Sequence, residues 1–216
     1  MHTVKLDGRA IPVGKIVCIG RNYAEHIKEL GNQATERPVI FMKPANTIVD
    51  SGGIVVIPGY SNDCHHEIEL AVLIGRQAKG ITADQALDHV AGYGVALDLT
   101  LRDVQSIQKA KGLPWEIAKA FDTSCPLSEF VPASQVADPQ NLQLRLKVNG
   151  ELRQNGNTCD MMRTIAELIA AAAAYFTLEE GDILLTGTPA GVARICSGDR
   201  LEASIEQVGS LVVTVA

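Results

Sequence analysis

The sequence predicts an α+β fold in which strands dominate. Short runs rich in isoleucine and valine recur along most of the 216 residues, and proline or glycine separates nearly all of them. Segments with helical spacing are fewer, and they do not alternate regularly with the strands. Regular alternation would favour a doubly wound parallel sheet, so a mainly β architecture with a few helices is the better prediction.

The β-type runs continue from the N-terminal part of the chain to its last residues. The run at 142–148 alternates most regularly, with Leu and Val on one face and Gln, Arg and Lys on the other. Asn149-Gly150 follows it, and this dipeptide is favoured in two-residue hairpin turns, so a hairpin is predicted there. The predicted strands are residues 15–19, 39–42, 54–57, 68–74, 92–98, 142–148, 182–186, 200–205 and 211–215.

Helix signals appear in four places: residues 23–30, 82–88, 101–110 and 164–175. Thr82 with Gln85, and Thr164 with Glu167, have the spacing of a capping box, which marks a helix start. Thr100 is the predicted N-cap of the third helix. The alanine-rich segment 164–175 is predicted to be a buried helix that lies against a sheet.

Composition limits the classes of function. Hydrophobic residues make up 46% and charged residues 20%, which predicts one domain over residues 1–216 with a sizeable core. The net charge of −6 and the aromatic content of 4% argue against a nucleic-acid partner. The longest apolar run, residues 168–176, is far shorter than the roughly 20 residues of a membrane span, and the N-terminus shows no apolar signal core. These features predict a cytoplasmic enzyme or binding protein with no membrane partner.

Five cysteines are scattered along the chain without a Cys-x-x-Cys pair, so we expect reduced thiols rather than disulfides or a zinc site. The chain has no Gly-x-Gly-x-x-Gly or Walker motif, which weakens a nucleotide-binding interpretation.

Three carboxylates are the strongest candidates for chemistry. Glu67 and Glu69 lie two residues apart at the start of an apolar strand, so both point to the same face while the neighbouring Ile and Leu residues point to the core. Asp98 ends another apolar strand. Like charges side by side on such strands repel, and a hard divalent cation would remove the repulsion; oxygen ligands suit Mg²⁺ or Mn²⁺ better than zinc. The spacing alone leaves open a solvated face paired with Arg or Lys. His65 and His66 are predicted to form hydrogen bonds near the site rather than to bind metal.

Taken together, several segments resemble the fumarylacetoacetate hydrolase family, and within it the short acylpyruvase and oxaloacetate decarboxylase subgroup. The resemblance extends from about residue 15 to the C-terminus, in order and at the expected spacing. The segments are Gly20-Arg21-Asn22-Tyr23-Ala24-Glu25-His26, Phe41-Met42-Lys43-Pro44, His66-Glu67-Ile68-Glu69, Asp98-Leu99-Thr100, Arg102-Asp103-Val104-Gln105, Lys111-Gly112-Leu113-Pro114-Trp115, Lys119-Ala120-Phe121-Asp122, Asn149-Gly150 with Gln154, and Gly187-Thr188-Pro189-Ala190-Gly191-Val192.

The resemblance implies a mixed β-sandwich roll, a homodimer and a Mg²⁺ or Mn²⁺ site. By position, Glu67, Glu69 and Asp98 match the family's metal ligands. The larger relatives have a fourth carboxylate ligand that this chain lacks, so water is expected in that place. Three further positions match: Lys119 a substrate-facing lysine, Gln105 a polar oxyanion partner, and Thr188 a threonine that holds a substrate carboxylate. Arg21 and Arg102 match less specific substrate contacts. Either arginine could instead neutralise a structural carboxylate. Lys43 is expected to be structural.

His26 and Glu29 are three residues apart in the predicted helix 23–30, so they would share one face. Glu29 could then fix the imidazole tautomer and raise the basicity of the other ring nitrogen. The family resemblance implies that this dyad lies on a lid that orders over substrate, and Gly20 and Gly31 flank the segment as candidate hinges. Spacing alone is more typical of a solvated surface pair.

The implied chemistry centres on a 2-oxo acid, whose carboxylate and keto oxygens would chelate the cation, so that the metal stabilises a pyruvate enolate. That enolate serves three reactions: hydrolysis of acylpyruvates, including fumarylpyruvate-like compounds, decarboxylation of oxaloacetate, and keto–enol tautomerisation of oxaloacetate. Hydrolysis of the carbon–carbon bond is the primary prediction. The alternatives are a decarboxylase or tautomerase and, from another class, a catalytically silent 2-oxo-acid binding protein.

Overall fold

The computed structural model describes residues 2–216, and within them strands outnumber helices, which confirms the α+β, mainly β prediction. The helices are α1 (Ala24–Glu29), α2 (Ala83–Ala86), α3 (Arg102–Lys111), α4 (Glu116–Lys119) and α5 (Ile165–Tyr175). The strands are β1 (Thr3–Leu6), β2 (Arg9–Pro12), β3 (Lys15–Gly20), β4 (Val39–Pro44), β5 (Ile48–Asp50), β6 (Ile54–Val55), β7 (Cys64–His65), β8 (Ile68–Ile74), β9 (Val90–Leu97), β10 (Thr100–Leu101), β11 (Cys125–Leu127), β12 (Val131–Pro132), β13 (Gln143–Val148), β14 (Glu151–Asn157), β15 (Ile183–Leu185), β16 (Arg200–Ile205) and β17 (Gly209–Val215).

Two mixed sheets organise the chain. The larger sheet has the strand order β4-β3-β15-β8-β9-β11-β5, and β12 also pairs with β9. The smaller sheet has the order β14-β13-β16-β17-β6. Most neighbours are antiparallel, whereas β3 with β15, β5 with β11, and β6 with β17 are parallel. Strand β8 lies in the interior of the larger sheet with all seven residues buried, and it therefore offers a rigid base for a site.

The main core fills the space between the two sheets. Ile68, Leu70, Val72 and Ile74 of β8 pack in one cluster with the apolar face of β13, as their alternation predicts. The opposite face of β8 packs in a second cluster. Because Glu67 and Glu69 share the parity of that second face, their side chains lie on the other side of the sheet from the main core.

The hairpin and both predicted capping boxes are present in the structure. Asn149 and Gly150 have φ values of 53° and 82° between β13 and β14, the left-handed geometry that a two-residue turn requires. Glu167 Oε2 accepts a hydrogen bond of 2.7 Å from the backbone N–H of Thr164, and Gln85 Oε1 accepts one of 3.2 Å from that of Thr82.

One cap prediction is wrong, and one helix was missed. The N-cap of α3 is Leu101, and Thr100 instead lies in β10 with its hydroxyl donating to the carbonyl of Asp98. Helix α4 is a single turn, too short to show helical spacing in the sequence. Within residues 2–216, no helix has the length and apolar character needed to cross a membrane.

Candidate active site

The three predicted carboxylates meet at the ends of two paired strands. Strand β8 pairs with β9 so that Glu69 lies opposite Ala96, and the backbone N–H of Asp98 donates to the carbonyl of Glu67 at 2.8 Å. One oxygen from each of Glu67, Glu69 and Asp98 lies within 4.8 Å of the other two. All three side chains are buried. The convergence follows from strand pairing between residues about 30 positions apart, so it depends on the register of this sheet.

Cations and a backbone N–H surround these carboxylates. Lys119 Nζ donates to Glu67 Oε2 at 2.8 Å and to Asp98 Oδ2 at 2.6 Å, and Arg102 donates to Glu67 Oε1. Glu69 Oε2 instead accepts from the backbone N–H of Gly187 at 2.7 Å. The site is therefore a buried cluster of carboxylates and cations in which each charge depends on its neighbours.

The pKa directions of the carboxyl groups follow from these partners. Burial acts to raise the pKa of Glu67, but Arg102 and Lys119 outweigh it, and the pKa falls well below its usual value. Glu69 has no cation in direct contact, so burial, followed by repulsion from Asp98 and Glu67, raises its pKa well above the usual range. Glu69 is therefore the group that most needs an additional positive charge nearby.

The cluster fits a hard divalent cation. Three buried carboxylates offer oxygen donors only, and their ligand atoms are close enough to reach one ion. The neighbouring histidines are held elsewhere: His65 Nε2 lies 2.9 Å from Asp63, and His66 Nδ1 lies 3.0 Å from the side-chain oxygen of Gln154. This placement agrees with the prediction that they form hydrogen bonds near the site.

His26 and Glu29 form a hydrogen-bonded pair on α1. His26 Nδ1 lies 3.0 Å from Glu29 Oε2, and the other nitrogen, Nε2, lies 4.0 Å from Glu67 Oε1. Glu29 Oε1 accepts from the backbone N–H of Gly191 at 2.9 Å, which ties α1 to the loop after β15. Because a carboxylate accepts at Nδ1, a neutral His26 carries its proton there and turns a lone pair at Nε2 toward the carboxylates.

The backbone on both sides of α1 has unusual geometry. Of the two predicted hinge glycines, Gly31 has a left-handed φ of 60°, whereas on the other side the left-handed residue is Arg21, with φ 61°, directly after Gly20.

The other predicted substrate residues line the same cavity. Arg102 donates to Gln105 Oε1 at 3.0 Å from the first turn of α3. Arg21 contacts Asn32 and the carbonyl of Gln33, away from the carboxylates. Every predicted site residue lines this cavity except Glu29, which stands behind His26; the lining set is Ile19, Gly20, Arg21, His26, Leu30, Asn32, Phe41, Glu67, Glu69, Asp98, Arg102, Gln105, Lys109, Trp115, Lys119 and Thr188.

Thr188 lines the cavity with its hydroxyl already engaged. Its Oγ1 donates to the carbonyl of Ile68 at 2.7 Å and accepts from Gln154 Nε2 at 2.8 Å. To donate to a substrate carboxylate, the hydroxyl would have to release the Ile68 carbonyl.

Lys43 is more deeply built into the site than its sequence position indicates. Its fully buried ammonium lies 2.9 Å from Asp98 Oδ1, and it donates to the carbonyls of Leu99, Lys119 and Ser124. It thereby joins the strand end that carries Asp98 to the turn that carries Lys119. The sequence did contain a signal for this role, because Lys43 occupies an inward position of the apolar run 39–44. A buried ammonium needs a carboxylate or several carbonyls as partners.

Comparison with known proteins gives a consistent picture. Residues 15–216 match the family model described as fumarylacetoacetate (FAA) hydrolase C-terminal. Over 196 residues the chain is 53% identical to the oxaloacetate tautomerase YcgM of Escherichia coli K12, covering 90% of each protein. It is 48% identical to the mitochondrial oxaloacetate tautomerase FAHD1 of Bos taurus, covering 91% of this chain and 89% of the relative.

Among solved structures, the fumarylpyruvate hydrolase of Pseudomonas aeruginosa, in complex with Mn²⁺ and pyruvate, superposes with a TM-score of 0.95. It is 38% identical in sequence, and the match covers 99% of this chain and 95% of that one.

Proposed function

Because the chain belongs to the fumarylacetoacetate hydrolase family, we propose that it is a divalent-metal-dependent enzyme that forms the enolate of 2-oxo acids, with keto–enol tautomerisation of oxaloacetate as its reaction. The observation that carries this proposal is one cavity that combines three convergent carboxylates, Lys119 and the free face of His26. Two curated relatives, about half identical over nine-tenths of the chain, are oxaloacetate tautomerases, and this supports tautomerisation over hydrolysis.

In this proposal Glu67, Glu69 and Asp98 hold Mg²⁺ or Mn²⁺. When bound, the ion would supply Lewis-acid polarisation of the substrate's keto group. Lys119 contributes a second positive charge beside the same carboxylates, where it would stabilise negative charge that develops on the keto oxygen. Arg102 and Gln105 extend this polar wall, and we assign them to orienting the substrate's oxygens.

Tautomerisation needs a group that moves a proton at carbon 3. His26 Nε2 faces the cavity while Glu29 holds Nδ1, so His26 is the base that would take the proton from carbon 3 and return it. If the enolate takes up this proton on the keto oxygen of carbon 2 instead of on carbon 3, the product is the enol. The reaction therefore balances with one base, one shared enolate and no water nucleophile.

Hydrolysis of acylpyruvates is the second candidate. The same His26 could activate water, and the structural neighbour from Pseudomonas aeruginosa is a fumarylpyruvate hydrolase. Decarboxylation of oxaloacetate would use the same enolate without a base. A silent 2-oxo-acid binding protein would share the cavity but show no turnover of any of these compounds.

An activity panel with and without Mg²⁺ or Mn²⁺ separates these reactions. Enol oxaloacetate, acetylpyruvate and fumarylpyruvate are supplied in turn, and loss of the enol absorbance, release of CO₂ and cleavage to pyruvate are followed separately. We expect metal-dependent enol–keto exchange that is faster than the other two reactions. Rapid cleavage of an acylpyruvate with slow exchange would support the hydrolase, and full activity in EDTA would refute the metal site.

A homodimer and a cytoplasmic location also belong to this proposal. The dimer is expected from the family resemblance.

A further inference from the structure

Two cations that line the cavity have no part in the proposed enolate chemistry. Lys109 Nζ lies 2.7 Å and Arg21 Nη2 lies 3.5 Å from the same atom, Oδ1 of Asn32, and all three residues line the cavity. Asn32 is neutral, so this shared oxygen positions the two positive charges without compensating either. Burial, then the positive charges of Arg21 and Arg102, lower the pKa of Lys109.

Arg21 is held in a backbone conformation that arginine rarely adopts. Its φ of 61° lies in the left-handed region, immediately after β3 ends at Gly20. Such a conformation is unfavourable for a residue with a Cβ, and it persists where the surrounding structure enforces it, often at ligand sites. The strained turn directs the side chain over the cavity, toward Asn32.

Helix α3 carries three of the cavity-lining polar residues along its length. Arg102, Gln105 and Lys109 are spaced three and four residues apart, so they share one face of the helix. Arg102 contacts Glu67, and the Cα of Lys109 lies roughly 10 Å farther along the helix axis. Helical side chains lean toward the N-terminus of their helix, so the Lys109 ammonium points back over the cavity.

We propose that Arg21 and Lys109, positioned by Asn32, form a subsite for a second carboxylate and make the enzyme selective for 2-oxo dicarboxylates. The inference rests on the proposed function and names its substrate class. One end of a short dicarboxylate would lie at the carboxylate cluster with its keto acid group, and its distal carboxylate would lie between the two cations. A 2-oxo monocarboxylate could use the first end only.

The test compares oxaloacetate with its C4 methyl ester, which keeps the carbon skeleton and removes the distal charge. Lys109→Met should raise KM for oxaloacetate about tenfold or more, equivalent to about 1.4 kcal/mol, and leave KM for the ester and both kcat values within about twofold. Lys111→Met is the matched control, because Lys111 is an exposed lysine on the same helix outside the cavity, and both KM values should stay unchanged.

Asn32→Asp separates a ligand subsite from a purely structural brace. The new carboxylate would pair with both cations, so it should compete with the substrate and raise KM for oxaloacetate selectively, while Tm stays the same or rises. If the cations only brace the segment after α1, Asn32→Asp will leave KM unchanged, and Lys109→Met will lower Tm and shift both KM values equally. Either result overturns the subsite.

The two proposals fail in different ways. If the wild type converts neither compound, the proposed function fails, and dissociation constants of the same two compounds are then measured by calorimetry with Mn²⁺ present. Tighter binding of oxaloacetate than of its ester, lost in Lys109→Met, would still support the subsite. Equal affinities in the wild type would overturn it.

Discussion

Lys119 is the residue on which the charge balance of the cavity depends. Its ammonium donates to both Glu67 and Asp98, and because all three groups are buried, loss of any one would leave an unfavourable uncompensated charge. Burial lowers the pKa of Lys119, but Asp98 and Glu67 outweigh it, so the pKa is raised and the side chain stays charged. The same residue is thus required by the fold and by the proposed chemistry.

Lys119→Met should therefore destabilise the protein most when metal is absent. Removing one member of a buried charge cluster costs about 3 kcal/mol or more. Glu67 would keep only Arg102 and Asp98 only Lys43, so the three carboxylates would repel one another more strongly. A divalent ion restores positive charge, so Mn²⁺ should raise Tm more in the variant than in the wild type, although turnover stays low. Differential scanning calorimetry with EDTA or Mn²⁺ tests this, and equal metal-induced shifts would contradict it.

His26 should distinguish the three reactions of the shared enolate. Tautomerisation and hydrolysis both need a base, so His26→Ala should lower each by about 10²-fold or more. Loss of CO₂ from oxaloacetate needs no base and should fall less. Lys28→Ala, an exposed change on the same helix, serves as the control and should leave all rates unchanged. Equal losses in all three reactions would assign His26 to substrate binding instead.

At the scale of elements, Gln154 joins the two sheets at the site. Its Oε1 accepts from the backbone N–H of Ile68 and from His66, and its Nε2 donates to Thr188 and to the carbonyl of Pro189. The backbone N–H of Ile68 can only donate and the carbonyl of Pro189 can only accept, so only one orientation of the Gln154 side-chain amide satisfies every partner. This single side chain of β14 therefore fixes the start of β8 relative to the loop after β15.

A β-bulge places Gln154 in this position. The register between β13 and β14 shifts so that Leu146 faces Gln154 whereas Lys147 faces Leu152, which leaves Arg153 as the extra residue. A bulge redirects the side chains that follow it, and Gln154 is buried after three exposed residues. Strict alternation could not predict this, because a bulge depends on pairing with another strand.

Gln154→Leu should lower both stability and metal affinity. The substitution leaves the Ile68 N–H and the Pro189 carbonyl buried without a partner, at about 1–3 kcal/mol each. Because Glu67 and Glu69 flank Ile68, their positions should loosen, and Mn²⁺ affinity measured by calorimetry should fall. Arg153→Ala is the control, because Arg153 is the exposed neighbour. It should change the free energy of unfolding, measured in urea, by about 0.5 kcal/mol or less. Unchanged metal affinity in a destabilised Gln154→Leu protein would limit Gln154 to a structural role.

Residue patterns indicated the three carboxylates because two local rules apply to them, whereas their convergence depends on the register between β8 and β9. Alternation places Glu67 and Glu69 on one face of β8, and an apolar strand ends at Asp98. The cations could not be placed in this way, since Lys119 lies on the one-turn helix α4 and Lys43 acts through backbone carbonyls from distant segments. Their positions followed from family resemblance or became visible only in the structure.

At the scale of the whole molecule, one apolar surface is suited to a second copy of the chain. Ile54, Val56, Tyr60 and Ile117 are all more than half exposed. Tyr60 donates to the carbonyl of Ile117, and these two residues line one groove, while Val56 forms hydrogen bonds with Thr123. Ile54 lies on β6, the edge strand of the smaller sheet. An exposed apolar cluster of this kind is typical of a protein–protein interface.

The homodimer predicted from the family resemblance should therefore depend on this surface. Sedimentation equilibrium should give about twice the 23.1 kDa chain mass for the wild type and a monomer for Ile117→Asp, because the substitution would bury a carboxylate in the apolar contact. Leu87→Asp introduces the same charge at an exposed leucine outside this surface and should remain a dimer. Since Ile117 and Lys119 belong to the same helical turn, the monomer should also lose turnover, and adding Mn²⁺ should not restore it. A monomeric wild type at micromolar concentration would refute the dimer, and a dimeric Ile117→Asp protein would place the interface elsewhere.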